Sequence, residues 1–266
     1  MNISDKTFVV TGAGSGIGKA LTLGLLAKGA RVAAADRDEN ALAVLQTEIS
    51  DASKLSAHTL DVTDREAVER LPEAVIAAHG AVDGIINNAG IIQPFVRTND
   101  LQYDAIERVM NVNFYGTLTM IKTFLPHLLE RPEASIVNVS SMGGFLPVPG
   151  QGVYGASKAA VKLLSESLFA ELQDTSVHVS TVFPGATDTN ITKSSQIKIE
   201  ASADNSKSSV PMISPEAAAK IIITGIERDT PLIYTGSDSR SMNLLYRLAP
   251  VRATKLIAKK MKSLLQ

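Results

Sequence analysis

The sequence has no cysteine and no tryptophan, and aromatic residues make up 5% of its 266 positions. Without cysteine there are no disulfides, no thiolate metal ligands and no cysteine nucleophile. The 45% of residues that are apolar must build a core mainly from Ala, Val, Leu and Ile. An excess of one charge is missing as well: 26 Lys and Arg against 27 Asp and Glu give a net charge of −1. A chain so balanced has no general attraction for nucleic acid. No apolar run reaches the roughly 18 residues that suggest a membrane span. The opening MNISDKTFVVTG has no basic stretch leading into a long apolar one. These absences make the cytoplasm the expected compartment. The four histidines, His58, His79, His127 and His178, share no ligand spacing such as H-x-x-x-H, so no metal site is expected.

What is present is alternation. Short β-branched runs at 7–12, 31–36, 55–62, 82–90, 135–141, 177–185 and 231–236 are separated by segments of helical period. Seven strands with helices between them predict a single α/β domain over residues 1–266, a doubly wound parallel sheet covered on both faces. Ligands of such sheets sit beyond the carboxyl ends of the strands. There the sequence places Gly12, Asp36, Asp61, Asn88, Ser141 and Pro184, which should converge on one crevice. Two regions break the alternation. Residues 186–213 are polar and serine-rich and longer than ordinary connections, so a lid is expected. Residues 239–266 form a C-terminal extension of two amphipathic helices broken at Pro250. The second carries Lys255, Lys259, Lys260 and Lys262 beside Leu256, Ile257, Met261 and Leu264. Packing on the domain or a neighbouring subunit is the expected use, with contact to an anionic membrane surface as the alternative.

The first strand runs into TGAGSGIG (11–18), where small residues let backbone N–H groups approach a diphosphate at the positive end of the following helix. The spacing of Gly12, Gly16 and Gly18 differs from the widespread G-x-G-x-x-G, and a turn that merely packs is the competing reading. The second strand ends in Asp36, placed to bond the ribose hydroxyls and to repel a 2′-phosphate, which favours NAD. Arg37 could pair that phosphate, but Asp36 and Asp38 leave the local charge negative, so NADP is the lesser expectation.

Tyr154 and Lys158 stand four apart at the start of a helix, on one face. An ammonium there is expected to favour the phenolate and lower the phenol pKa from its usual value near 10. Ser141, at the carboxyl end of a strand, can point into the same crevice, whereas Ser140 reads as a strand-end hydrogen bonder.

In order and spacing, TGAGSGIG, NNAG (87–90), the serine pair 140–141, YGASK (154–158) and PGATDT (184–189) resemble the short-chain dehydrogenase/reductase family over about residues 5–190. The resemblance implies a Rossmann-type fold and an NAD(P)-dependent oxidoreductase. It implies Gly12, Ser15, Gly16, Ile17 and Gly18 on the diphosphate side, and Asp36 on the ribose. Asp61 and Val62 would lie at the adenine, and Asn88, Ala89 and Gly90 along the cleft. Pro184, Gly185, Thr187 and Thr189 would hold the nicotinamide carboxamide. It selects Ser141 over Ser140, and it matches Asn113 to a helix asparagine linked through water to the lysine; a purely structural hydrogen bond is the alternative for Asn113. Tyr154, Lys158, Ser141 and Asn113 would then form the catalytic set. Relatives pair helices corresponding to 102–129 and 152–173, so a homodimer or homotetramer is implied.

The rival class is a catalytically silent cofactor-binding regulator of the same fold, which should show damage at a catalytic position; none is damaged here. The substrate pocket is expected near Ile91 to Val96, Met142 to Pro149 and the lid, with Phe95, Phe145, Leu146, Val148, Met212 and Ile213. Such walls suit an apolar secondary alcohol or ketone.

Overall fold

The computed structural model describes residues 1–187, 191, 195 and 212–261. Seven strands form one parallel sheet: β1 (Thr7–Thr11), β2 (Arg31–Asp36), β3 (Leu55–Thr59), β4 (Gly84–Asn87), β5 (Ala134–Val139), β6 (Val177–Pro184) and β7 (Leu232–Thr235). Their order is β3-β2-β1-β4-β5-β6-β7. The connecting helices are α1 (Gly16–Ala27), α2 (Glu39–Thr47), α3 (Arg65–His79), α4 (Tyr103–Met110), α5 (Thr117–Leu129), α6 (Gly152–Glu171) and α7 (Pro215–Glu227). Two more, α8 (Ser237–Leu248) and α9 (Pro250–Lys260), follow the last strand and meet at Pro250 as expected. Lys262 and Leu264 lie outside the described residues.

The apolar runs are continuous because both faces of the sheet are covered. Alternation then divides the core. Phe8 and Val10 of β1, Val32 and Ala34 of β2, and Val137 and Val139 of β5 pack under α1 and α7 with Leu21, Leu25, Ile222 and Ile223. Val9, Ala33, Ala35 and Ile136 pack on the other face with Val68, Leu71, Phe124 and Leu168 from α3, α5 and α6. Gly24 lets α1 press on α7, since a Cβ there would stand 2.7 Å from the Ile223 Cδ1.

The chain winds outward in both directions from the β1–β4 pair, so loops from the two halves diverge and leave a crevice at the carboxyl ends of these strands. Two expected strands stop early. β3 ends at Thr59, and Asp61 turns the chain by accepting from the Thr63 N–H at 2.9 Å and its hydroxyl at 2.7 Å. β4 is confined to Gly84–Asn87 because Asn88 and Ala89 both give their N–H groups to Thr11 Oγ1, each at 3.1 Å. Both turns bring the chain to the crevice, Asp61 and Val62 after β3 and Asn88 and Ala89 after β4.

Candidate active site

The crevice encloses about 350 Å³. Its walls include Gly12, Ser15, Gly16, Ile17, Asp36, Arg37, Asp61, Val62, Asn88, Ala89, Gly90, Ser141, Tyr154, Lys158, Pro184, Gly185 and Thr187, all singled out from the sequence. Gly18 and Asn113 serve from behind the wall, and Thr189 lies outside the described residues.

At the glycine turn, Gly12 and Gly16 have φ of 66° and 51°, in the left-handed region that glycine tolerates without strain. A Cβ on Gly18 would run into the Gly12 carbonyl, so Gly18 lets α1 start directly under the turn. Ser15 opens α1 without a side-chain cap, leaving the first-turn amides of Gly16 and Ile17 at the crevice. Asn88 ties this turn to β4 by donating Nδ2 to the carbonyls of Thr11 at 3.0 Å and Gly12 at 3.3 Å. The NNAG turn thus stabilises the strand end and also lines the cleft.

The Asp36 carboxylate has structural work besides its place on the wall. Oδ2 accepts from the Gly14 N–H at 2.8 Å and Oδ1 from the Asp38 N–H at 3.0 Å. Asp38 in turn caps α2 by accepting from the Ala41 N–H.

At the other end, the Ser141 Oγ accepts from the Gly143 N–H at 3.0 Å and lies beside the Tyr154 ring, since a Cβ on Gly143 would stand 3.5 Å from that Oγ and 3.3 Å from the Tyr154 Cε1. Ser140 is turned away and donates its hydroxyl to the Lys158 carbonyl at 2.7 Å, which fixes α6 against β5. Lys158 is 4% exposed, and its Nζ donates to the Val139 carbonyl at 2.9 Å. Burial alone pushes its ammonium down to about 8.

Tyr154 departs from expectation. Its phenol faces the crevice, yet the surrounding protein raises its pKa; burial is the main cause, and the Ser141 side chain opposes it. A lowering by Lys158 is not what the structure shows, because the ammonium is turned to the Val139 carbonyl and is itself weakened by burial.

Asn113 stands in a π-helical turn, Asn111–Gly116, inserted between α4 and α5. Such turns widen the backbone and cluster at functional sites. The side chain is fully buried. Its Oδ1 accepts from the Ile91 N–H at 2.8 Å, and Nδ2 donates to the Ile91 carbonyl and the Ser157 hydroxyl, each at 2.9 Å. It fastens the loop after β4 to α6. A Cβ on Gly90 would stand 3.1 Å from the Lys158 Nζ and 3.3 Å from the Asn113 Oδ1, so Gly90 permits this close packing.

The expected substrate wall is corrected in part. Ile91 and Ile92 line the crevice, joined by Val112, Val139 and Ile191. Leu146 instead is sealed in the core at 1% exposure, and the Phe145 ring lies 5.6 Å from that of Phe183. The turn after Ser141 folds back on β6, which draws both inward.

Three groups were not legible beforehand. Gln93, 1% exposed, accepts through Oε1 from the N–H groups of Val153 at 2.8 Å and Tyr154 at 2.9 Å. Asp238, in the first turn of α8, accepts from the Ala186 N–H at 3.1 Å and so braces the loop after β6. Beneath the site, Asn87 donates to Asn138 at 2.8 Å, and Asn138 to Ser165 at 2.9 Å. Each pair is far apart in sequence, so no local spacing announces it.

Among the described residues, Glu133, His178 and Asp229 bring ligand atoms within 4.8 Å of one another. They sit at the amino ends of the strands, away from the crevice, and the Met1 ammonium lies among them, 3.0 Å from Asp229 Oδ1 and 3.8 Å from Glu133 Oε1.

The sequence pattern of the short chain dehydrogenase family matches residues 6–200. The chain belongs to the short-chain dehydrogenase/reductase family. This family member is 34% identical over 264 residues to the oxidoreductase SadH of Mycobacterium tuberculosis, covering 97% of this chain and 95% of that one. It is 34% identical over 229 residues to the 3-oxoacyl-[acyl-carrier-protein] reductase FabG of Thermotoga maritima, covering 84% and 91%. Among solved structures, a short-chain dehydrogenase/reductase of Burkholderia phymatum in complex with NAD superposes with a TM-score of 0.85 at 26% identity, covering 95% and 96%. A short-chain dehydrogenase of Burkholderia cenocepacia in complex with NADP gives 0.80 at 26% identity, covering 97% and 99%. This dehydrogenase is therefore an oxidoreductase of nicotinamide-cofactor type. Among its described residues no helix is long and apolar enough to cross a membrane.

Proposed function

We propose that the protein transfers hydride between NAD and an apolar secondary alcohol or its ketone, with Tyr154 as acid/base. The observation that carries this reading is the placement of Tyr154, Ser141 and Lys158 together in the wall at one end of a crevice whose other end is the glycine turn. The cradle suits a dinucleotide: Asn88 and Ala89 crowd a Cβ at Gly12, the Gly12 carbonyl leaves no room for one at Gly18, and the first residues of α1, Gly16 and Ile17, line the crevice. Bound there, the nicotinamide supplies the hydride acceptor or, in reduction, the donor.

Ser141 holds the substrate oxygen and Tyr154 exchanges a proton with it. Burial keeps the phenol protonated at neutral pH, the form that delivers a proton in reduction; oxidation needs the phenolate and gains as pH rises. Lys158 holds the nicotinamide ribose, and Asn113 acts as a positioning residue through Ile91 and Ser157. Pro184, Gly185, Thr187 and Thr189 hold the carboxamide. Asp36 takes the adenosine ribose and favours NAD. The walls Ile91, Ile92, Val112 and Ile191 favour an apolar substrate, as does the ketone on an acyl chain named for the Thermotoga maritima relative. The 186–213 segment is the proposed lid, of which 188–190, 192–194 and 196–211 lie outside the described residues; Thr187 and Ile191 line the wall, and the Ser195 hydroxyl accepts from the Ile92 N–H at 2.9 Å. A homodimer or homotetramer would cover Tyr103 and Leu163, 82% and 68% exposed on α4 and α6; a monomer mass in light scattering would refute it. The cytoplasm is the proposed compartment.

The test is a panel of cyclohexanol, a secondary alkanol and a benzylic secondary alcohol, followed with NAD by absorbance of the reduced cofactor. Tyr154→Phe keeps the ring's packing, so folding and NADH binding should survive while turnover falls by about 10²–10⁴-fold. Unchanged turnover would sink the assignment. Absence of turnover in the unmodified protein across alcohols, ketones, sugars and acids would favour a silent cofactor-binding regulator.

A further inference from the structure

A helix that begins without a capping side chain leaves its first amides without helical partners. α6 begins this way at Gln151, whose own side chain gives no cap. Its first intrahelical bond runs from the Gly155 N–H to the Gln151 carbonyl at 2.8 Å, so Val153 and Tyr154 need outside acceptors. The acceptor is Gln93, from the loop after β4. Its Oε1 takes both N–H groups, while its Nε2 donates to the Gly150 carbonyl at 3.0 Å. The opposite amide orientation would set the NH₂ against two N–H groups and the oxygen against a carbonyl, so the network admits one assignment. Gln151 answers across the same gap by donating its Nε2 to the Gln93 carbonyl at 2.8 Å. Each glutamine uses its side chain on the other's segment of backbone.

We propose that this Gln93–Gln151 clasp positions Tyr154 for proton transfer, with Gln93 serving as the cap of α6 from 60 residues away. The inference rests on the reading of Tyr154 as the acid/base. The clasp acts on the backbone nitrogen of Tyr154 itself, and neither glutamine is in the crevice wall. The loop that carries Gln93 also carries Gly90, against Lys158, and Ile91, against Asn113. Loop and helix are thereby held in one register, and the phenol is set against Ser141. A misplacement of about 1 Å at such a group can cost roughly 10²-fold in rate.

The test uses the full chain with NAD and whichever panel alcohol it turns over fastest. Gln93→Met keeps the side chain's length and removes its hydrogen bonds; kcat should fall by about 10–100-fold while NADH affinity, read by fluorescence, changes little. Gln93→Glu keeps an accepting oxygen for the Val153 and Tyr154 N–H groups at a helix end that favours negative charge, but sets its second oxygen against the Gly150 carbonyl, so it should recover only part of kcat, above Gln93→Met and below the unmodified protein. Hydrogen exchange of the 150–158 segment should speed up most in Gln93→Met and less in Gln93→Glu. In a Tyr154→Phe background, Gln93→Met should add no further loss to the residual turnover, because the clasp works through that side chain. If Gln93→Met does not fold, Gln151→Leu removes one strand of the clasp and should give a smaller kcat loss with the same non-additivity. A full further loss in the Tyr154→Phe background, or NADH affinity falling in step with kcat, would make Gln93 a general structural residue and overturn the proposal. Full activity in folded Gln93→Met, with activity lost in Tyr154→Phe, overturns the clasp alone. Full activity in Tyr154→Phe overturns the reading on which it rests.

Discussion

Two of the helices that begin at this crevice do not cap themselves. α1 starts at Ser15 and α6 at Gln151, both without a bond from the capping side chain. At α1 the uncapped end faces the crevice, with Gly16 and Ile17 in the wall. At α6 the equivalent amides are occupied by a buried glutamine from another loop. The difference matches what each end would do under the proposed function. A helix end that receives an anion keeps its donors available, because the ligand supplies the missing acceptors. A helix end that aims one side chain must not move when substrate comes and goes, and internal acceptors hold it still.

The strongest way to break the open end is Gly18→Ala. The new Cβ would meet the Gly12 carbonyl, a backbone atom that cannot rotate aside. Overpacking of this kind costs about 1–3 kcal/mol. If that strain is relieved by spreading the turn from α1, NADH affinity should fall by roughly 10-fold or more, and the melting temperature should drop with it. A fluorescence titration giving unmodified affinity would mean that the close approach of α1 to the turn is not needed for binding.

The contrast also explains what could be read in advance. The turn, Asp36, and the pair Tyr154 and Lys158 are local patterns, in which the spacing of neighbours along the chain carries the geometry. The seven strands were legible for the same reason, since burial on both faces leaves unbroken apolar runs. The clasp joins residues 93 and 151, and the brace under the loop after β6 joins Ala186 to Asp238. Those contacts exist only once the sheet has assembled. A sequence signal did exist at α6: Gln151 is a poor cap, and a long helix starting there needs an acceptor from elsewhere. The π-helical turn at Asn113 left no trace in an apolar period that continues through α4 and α5. The direction of the Tyr154 shift was missed because spacing brings an ammonium near a phenol but does not say how deeply the phenol is buried, and burial is what raises it.

Lys158 sharpens the comparison from the inside, since it lies on the sealed helix and lines the open crevice. Its ammonium titrates at about 8, below its ordinary 10.5. If it holds the ribose as a cation, NADH affinity should decline as pH rises above about 8. Lys158→Met should bind several-fold more weakly and lose that limb. Stability carries the opposite sign. Between about 8 and 10.5 the native chain has released a proton that the unfolded chain still holds, so unfolding free energy should rise with pH through that window. The penalty of burying the charge is greatest below 8, and each unit of depression corresponds to about 1.4 kcal/mol. Denaturant titrations at several pH values should show this slope in the unmodified protein and its loss in Lys158→Met; equal slopes would place the ionisation elsewhere.

The smallest expected effect is at the rim of the open end, where Asp36 has two functions that substitution can separate. On the proposed reading its carboxylate repels a 2′-phosphate through charge, and it braces the glycine turn by accepting from the Gly14 N–H at 2.8 Å. Asp36→Ala removes both, so it should move selectivity toward NADP while weakening either cofactor. Asp36→Asn removes the charge and keeps an oxygen for Gly14. It should therefore move the ratio of kcat/KM for NADP over NAD upward by about the same several-fold, with a smaller loss of NAD activity. Arg37, beside it in the wall, remains to meet the phosphate. Initial rates with both cofactors on the three proteins decide the matter. If Asn and Ala lose NAD activity equally, the brace contributes nothing and Asp36 acts through charge alone. If the unmodified protein already prefers NADP, Arg37 outweighs the carboxylate and the proposed preference for NAD is wrong.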